Sequence, residues 1–147
     1  MTAGFWVAIE DAALAALEAE IGSQVQTLET YQGDWRADLE QQAWRLPAVL
    51  VTWRRGRGEQ VGWGSYDLTL EIRALVVVRQ LRGEAQGRRG AGGAYELLEG
   101  IRRAWWHQDL GLDLLPLALV EEEALLSGPE FTVYGALYRT RMVQDFS

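Results

Sequence analysis

One stretch of this chain alternates apolar and polar residues so regularly that it limits the folds the chain can adopt. From Tyr66 to Val78 every second residue is apolar, and the residues between them are polar as far as Arg73. Because successive strand residues point to opposite faces, this period predicts a long β-strand with one face on a core and one in water. At Leu75 and Val77 the second face becomes apolar too. The far half of the strand is therefore predicted to be covered on both sides, by another part of the fold or by another subunit.

Two amphipathic helices are predicted, one before this strand and one after it. In the first, apolar residues recur at every fourth position, with Thr2 as a cap and Gly22 as a stop. The second covers residues 94–107 and has a similar apolar stripe. A shorter helix is predicted at residues 34–45.

Short runs of β-branched and aromatic residues predict the other strands: 25–31, 48–53, 114–120 and 131–142. The last run is apolar on both alternations, which indicates an interior position. Residues 54–58 and 121–123 are predicted to be loops. The order of elements favours an α+β fold, an antiparallel or mixed β-sheet of about four to five strands with two main helices packed on one face. A chain of 147 residues fits a single domain covering 1–147.

Composition excludes several kinds of chemistry. Without cysteine the chain has no disulfides, thiolate metal sites or cysteine nucleophiles. All 14 basic residues are arginines, so a Schiff-base lysine and a phosphate-loop lysine are also excluded. The net charge of −7 argues against general nucleic-acid binding. No signal peptide or membrane span is recognisable, so a soluble intracellular protein is expected.

A glycine- and arginine-rich segment at residues 79–93 precedes the second main helix and allows two interpretations. Glycines at a helix start would suit a phosphate, which would make the protein a small nucleotide- or anion-binding enzyme. However, the segment has no lysine, no Ser or Thr follows the glycines, and their spacing differs from that of a dinucleotide loop. The pattern favours a mobile arm hinged on the helix, and no cofactor is predicted.

No catalytic or metal site is predicted either. The only histidine, His107, lies at a helix end, where a partly charged imidazole suits exposed carbonyls, and no nucleophile is near it in sequence. The carboxylates of 121–123 cannot all face one ion. Acid pairs such as Asp34 and Asp38 are expected by chance in a chain with 21 acidic residues. We therefore expect a protein that is not an enzyme.

Aromatic side chains are more numerous than one small core needs, with seven tryptophans. Trp105 and Trp106 are adjacent on a predicted helix, so one of them is expected to turn outward. Exposed aromatic and arginine side chains commonly anchor protein interfaces, which favours self-association.

Blocks spread over nearly the whole chain resemble a known family. They are Ile-Glu-Asp-Ala-Ala, Leu-Pro-Ala-Val-Leu-Val, Gly-Gly-Ala-Tyr-Glu-Leu-Leu, Gln-Asp-Leu-Gly-Leu and Val-Tyr-Gly-Ala-Leu-Tyr-Arg-Thr-Arg. In these blocks the chain resembles the Mu-like phage and prophage tail protein family, small proteins related to tail terminators. The resemblance implies a structural protein of the virion tail, assembled in the cytoplasm of the host bacterium.

The resemblance also implies partners. A tail terminator forms a ring, usually hexameric, that caps the tail tube and offers a docking surface for the head. Its partners would be other copies of itself, the tube protein and the head–tail connector, with DNA passing through the lumen without specific binding and no membrane contact. Another neck or tail-completion component of similar fold is the alternative.

A ring needs contacts between two different patches of neighbouring subunits. The arm at 79–93 is predicted to contact a neighbouring subunit or the tube. The interface candidates are Arg79, Arg82, Arg88, Arg89, Tyr95, Trp106, Arg139 and Arg141.

Overall fold

The computed structural model describes residues 4–79, 89 and 93–146. Its elements are helix α1 (Phe5–Ile21), a 3-10 turn (Gly22–Gln24), strand β1 (Thr27–Thr30), helix α2 (Trp35–Glu40), strands β2 (Ala48–Gly62) and β3 (Ser65–Arg79), helix α3 (Ala94–Trp105), and strands β4 (Ala118–Ser127) and β5 (Phe131–Asp145). Most of the predicted arm lies outside the described residues, as does Thr2, the predicted cap of α1. Gly4 occupies the N-cap position instead.

The strands of the described ranges form one mixed sheet in the order β1-β2-β3-β5-β4. Strand β1 is parallel to β2, and the other neighbouring strands are antiparallel. Strand β3 pairs with β5 along its whole length, from Ser65 opposite Asp145 to Arg79 opposite Phe131. The alternating strand is therefore the centre of the sheet, and the predicted α+β fold is confirmed.

One face of the sheet carries the two main helices, as predicted. The predicted apolar stripe of α1 begins with Phe5, which is half-buried, and its other members, at every fourth position, are buried: Ile9, Ala13, Leu17 and Ile21. It packs with α3 and with the even-numbered residues of β3 in one core. The helices touch closely at Gly100, where an added Cβ would lie 2.3 Å from the Ile21 Cγ2 atom. Trp105 is buried and its indole N–H donates to the Ala13 carbonyl at 3.2 Å, whereas Trp106 turns outward as expected.

The opposite face has a smaller core at one end only. Leu75 and Val77 of β3 are fully buried there, against Leu39 of α2 and neighbouring strand residues. The cover on this second face therefore comes from the same chain. On this face the residues of β3 that precede Arg73 are polar (Asp67, Thr69 and Glu71), and the described residues place no helix over them.

Strand β2 corrects one prediction, because residues 54–58 are not a loop. The strand continues to Gly62 and stays paired with β3, with Gly56 opposite Leu70. The strand passes close to α1 at Gly56, where an added Cβ would lie 3.2 Å from the Trp6 ring. Long pairing with the central strand thus overrides the usual tendency of glycine to end a strand.

Three further local predictions are wrong. Residues 121–123 lie inside β4, where pairing with β5 outweighs their charge, and this strand begins at Ala118 rather than at 114. Helix α2 ends at Glu40 instead of 45. None of the described helices combines the length and the apolar character needed to cross a membrane.

Candidate assembly surface

The uncovered part of the sheet holds one buried carboxylate, that of Glu71 on β3, which is 4% exposed. Arg54 Nη1 and Arg55 Nε donate to its Oε1 atom at 2.8 and 3.0 Å, and Arg139 Nη2 donates to Oε2 at 3.2 Å. A β-bulge between Trp53 and Arg55 adds one residue to β2, so two consecutive arginines reach the same carboxylate. Glu71 thereby connects β2 and β5 across the central strand.

Opposing effects act on the pKa of Glu71. Burial raises this pKa, since desolvation disfavours the charged form. The hydrogen bond from Arg139 and the charges of Arg54, Arg139 and Arg55 outweigh burial and bring the pKa below its usual value. Glu71 is therefore ionised at neutral pH, and its hydrogen bonds are charge-assisted.

A second pair of arginines follows two residues further along the strands. Thr69 of β3 lies between Arg57 of β2 and Arg141 of β5 in the sheet register. Both arginines are exposed, and neither forms an ion pair with any residue that the structure describes. The two rows line a shallow groove with a volume of about 460 Å³. We name its four cross-strand arginines, Arg55, Arg57, Arg139 and Arg141, the arginine face.

The same end of the sheet exposes four large apolar side chains, which we name the apolar tip. Val61, Trp63, Val143 and Phe146 are 56, 92, 60 and 74% exposed. Trp63 lies in the β2–β3 turn beside Gly64, whose φ of 77° favours glycine. The Phe146 backbone N–H donates to the Gly64 carbonyl at 2.7 Å, which keeps this side chain near the turn.

The structure brings together only some of the predicted interface residues. Arg139 and Arg141 share the arginine face. Arg79 lies at the other end of β3. Arg82 and Arg88 lie outside the described residues, so their predicted role stays a prediction.

The remaining candidates are scattered. Tyr95 lies on the helix-bearing side, with its ring centroid 6.2 Å from that of Tyr134. Trp106 stacks on His107 with nearly parallel rings, 5.4 Å between centroids. Arg89 is exposed. These residues do not form one surface with the arginine face.

Sequence reasoning missed Arg55 and Arg57 as interface residues, because residues 54–58 were expected to form a loop. The signal that would have found the arginines is the period of two in Arg-Gly-Arg-Gly-Glu, beginning at Arg55. It places both arginines and Glu59 on one face of a strand.

Other candidate chemical groups have structural roles. His107 is exposed and has a φ of 63°, and its backbone N–H donates to the Leu117 carbonyl at 2.8 Å. Asp34 caps α2, and Asp38 accepts a hydrogen bond from the Tyr31 hydroxyl. Among residues 4–79, 89 and 93–146, no cluster of His, Asp and Glu is arranged to hold a metal ion.

The fold and this surface define an α+β protein with one mixed sheet, whose exposed arginines and apolar side chains suit contacts with other macromolecules. The family model described as Bacteriophage Mu, Gp37 matches residues 6–143, and the chain belongs to this family. The predicted resemblance to Mu-like phage proteins is thus confirmed. No curated protein matches the chain. Family membership indicates a phage structural protein and virion component.

Proposed function

We propose that this protein is a tail terminator, which caps the tail tube as a homo-oligomeric ring and provides the surface to which the head docks. The observation that carries the proposal is the end of the sheet where β2, β3 and β5 expose both the arginine face and the apolar tip. Exposed apolar groups of this size on a soluble protein usually mark contact sites. Membership of a Mu phage family supports a contact within the virion.

A closed ring uses two different patches on each subunit, which meet around the ring. The arginine face and the apolar tip offer chemically different contacts, so one is available for a neighbouring subunit and the other for the tube or the head–tail connector. The acidic net charge of −7 suits a lumen through which DNA passes without being held. A hexamer is the expected ring size.

Native mass spectrometry and negative-stain electron microscopy of the purified protein test the ring directly. We expect a closed oligomer with a central hole, and a protein that stays monomeric at every concentration would refute the proposal. Most of the predicted arm lies outside the described residues, and deleting 82–90 tests its role. The shortened protein should fold but no longer form rings.

Deleting the gene from an inducible prophage tests the role in the virion. Without a terminator, tails should grow to irregular lengths and remain separate from heads in micrographs of the lysate. Re-expression of the protein should restore uniform tails. Tails of normal length that lack heads would instead identify another neck component and refute the capping role.

A further inference from the structure

The arginine face repeats one motif, but its second row lacks the carboxylate. In the first row, Arg55 and Arg139 both hydrogen-bond to Glu71, which lies between them on β3. The next row lies about 7 Å further along the strands and has Thr69 in the central position. The short neutral side chain of Thr69 cannot bridge the two guanidinium groups of Arg57 and Arg141. The third row contains Glu59 and Asp67, and neither acid pairs with those arginines.

The opposite side of the molecule presents carboxylates at a matching spacing. Helix α1 contains four acidic residues and no basic residue. Its outward side exposes Asp11, Ala15 and Glu18, which share one helix face because they are four and three residues apart. Asp11 and Glu18 are separated by about 10.5 Å along the helix axis. Arg57 and Arg141 start from strands that lie about 10 Å apart on either side of β3.

We infer that Asp11 and Glu18 of one copy bind Arg141 and Arg57 of the next copy, with the small Ala15 side chain above Thr69. Helix α1 covers one face of the sheet and the arginine face lies on the other, so these two groups cannot meet within one chain. Contacts between such opposite faces are head-to-tail, as a ring requires. The inference rests on the proposed function, because it names the contact between neighbouring subunits of the ring.

Charge reversal tests this contact more sharply than truncation. Exposed ion pairs contribute little by themselves, whereas like charges placed face to face are strongly unfavourable. We would therefore make a basic-face variant, Arg57→Glu with Arg141→Glu, and a helix variant, Asp11→Arg with Glu18→Arg. Circular dichroism and thermal melting establish that both variants fold.

Each variant alone should associate at least about tenfold more weakly than the natural chain in sedimentation and native mass spectrometry, because its two contact faces carry like charges. An equimolar mixture should recover assembly, with the two variants alternating in rings of even number. If the variants failed to assemble because they were misfolded, mixing them would not restore assembly. Arg45→Glu and Glu130→Arg change exposed charges elsewhere and serve as matched controls that should assemble normally.

The outcomes separate this inference from the function on which it rests. A natural chain that never associates overturns both. Rings that form equally well from both variants, or a mixture that fails to recover assembly, overturn the contact but leave the ring proposal standing. Fluorescence anisotropy with duplex DNA gives a third outcome. If only the basic-face variant loses DNA binding and its rings persist, the arginine face binds phosphates and the inference is wrong.

Discussion

Replacing Glu71 with glutamine tests how strongly one buried carboxylate holds β2 and β5 to the central strand. The Glu71 side chain is 5% exposed, whereas its partners Arg54, Arg55 and Arg139 are 45, 52 and 50% exposed. Breaking a fully buried ion pair costs about 3–5 kcal/mol, and one hydrogen bond to a charged group contributes about 1.5–3 kcal/mol. Because the freed arginines can turn into water, we expect Glu71→Gln to lower the free energy of unfolding by about 1–2 kcal/mol. For a domain of this size that corresponds to a fall in Tm of roughly 2–8 °C.

Thermal and urea unfolding followed by circular dichroism would measure this change. The protein should be dilute enough for the Tm to be independent of concentration, so that assembly does not contribute. Glu59→Gln is the matched control, because Glu59 is exposed on the same face of the sheet, and it should change stability by less than about 0.5 kcal/mol. Equal Tm values for the two variants would refute the structural role of Glu71.

The pH dependence of this difference follows from the lowered pKa of Glu71. A carboxyl whose pKa is lower in the folded state contributes stability above its unfolded pKa, which is about 4.3 for glutamate. That contribution is lost as the pH falls through the folded pKa. The stability gap between the natural chain and Glu71→Gln should therefore be constant near neutral pH and narrow in acid. A gap that widens on acidification would contradict the assignment.

Three further substitutions test packing and contact. Gly100→Ala should lower the free energy of unfolding by about 1–2 kcal/mol, because its methyl group would meet buried Ile21 at 2.3 Å and overpacking outweighs the gain in helix propensity. Gly58→Ala, with nothing within 4 Å, is the control, and equal urea midpoints would contradict this reasoning. Tyr138→Phe should keep or raise the Tm, since the buried hydroxyl has no hydrogen-bond partner among the described residues, and a clear fall in Tm would count against it. Trp63→Ser should leave the Tm and the ring unchanged but restore fewer uniform, head-bearing tails when it is re-expressed in the deleted prophage, and restoration equal to that by the natural protein would exclude the apolar tip as a contact.

The main elements of the fold were predictable because each carries a clear periodic signal. Apolar residues at every fourth position identified α1 as a helix, and the alternation of β3 identified it as a strand, in each case with nearly correct bounds. Strand β2 was predicted too short because glycine and arginine are weak strand formers, and its pairing with β3 is a property of the whole sheet. The carboxylates at 121–123 were predicted to form a loop for the same reason: acidic residues are weak strand formers, and only pairing with β5 places them in the edge strand β4.

The candidate surface was harder to predict than the fold. Arg139 and Arg141 were selected by residue type, but nothing local placed them beside Arg55 and Arg57, which precede them by about 84 residues in the chain. Glu71 was expected in water, since the alternation of β3 assigns it to the polar face. It is buried because arginines from two other strands cover it, which only the register of the sheet determines.

The position of β5 beside the central strand affects the order in which this chain can fold. Strand β3 pairs with β5 from Ser65–Asp145 to Arg79–Phe131, so each contact closes a loop of about 50 to 80 residues. Contacts that are this distant in sequence slow folding, and β5 is synthesised last of all the described strands. Until β5 pairs with it, the fifteen-residue strand β3 has one open edge, and an unpaired edge favours pairing with other chains. Pairing with β5 therefore closes the edge of β3 that would otherwise favour aggregation.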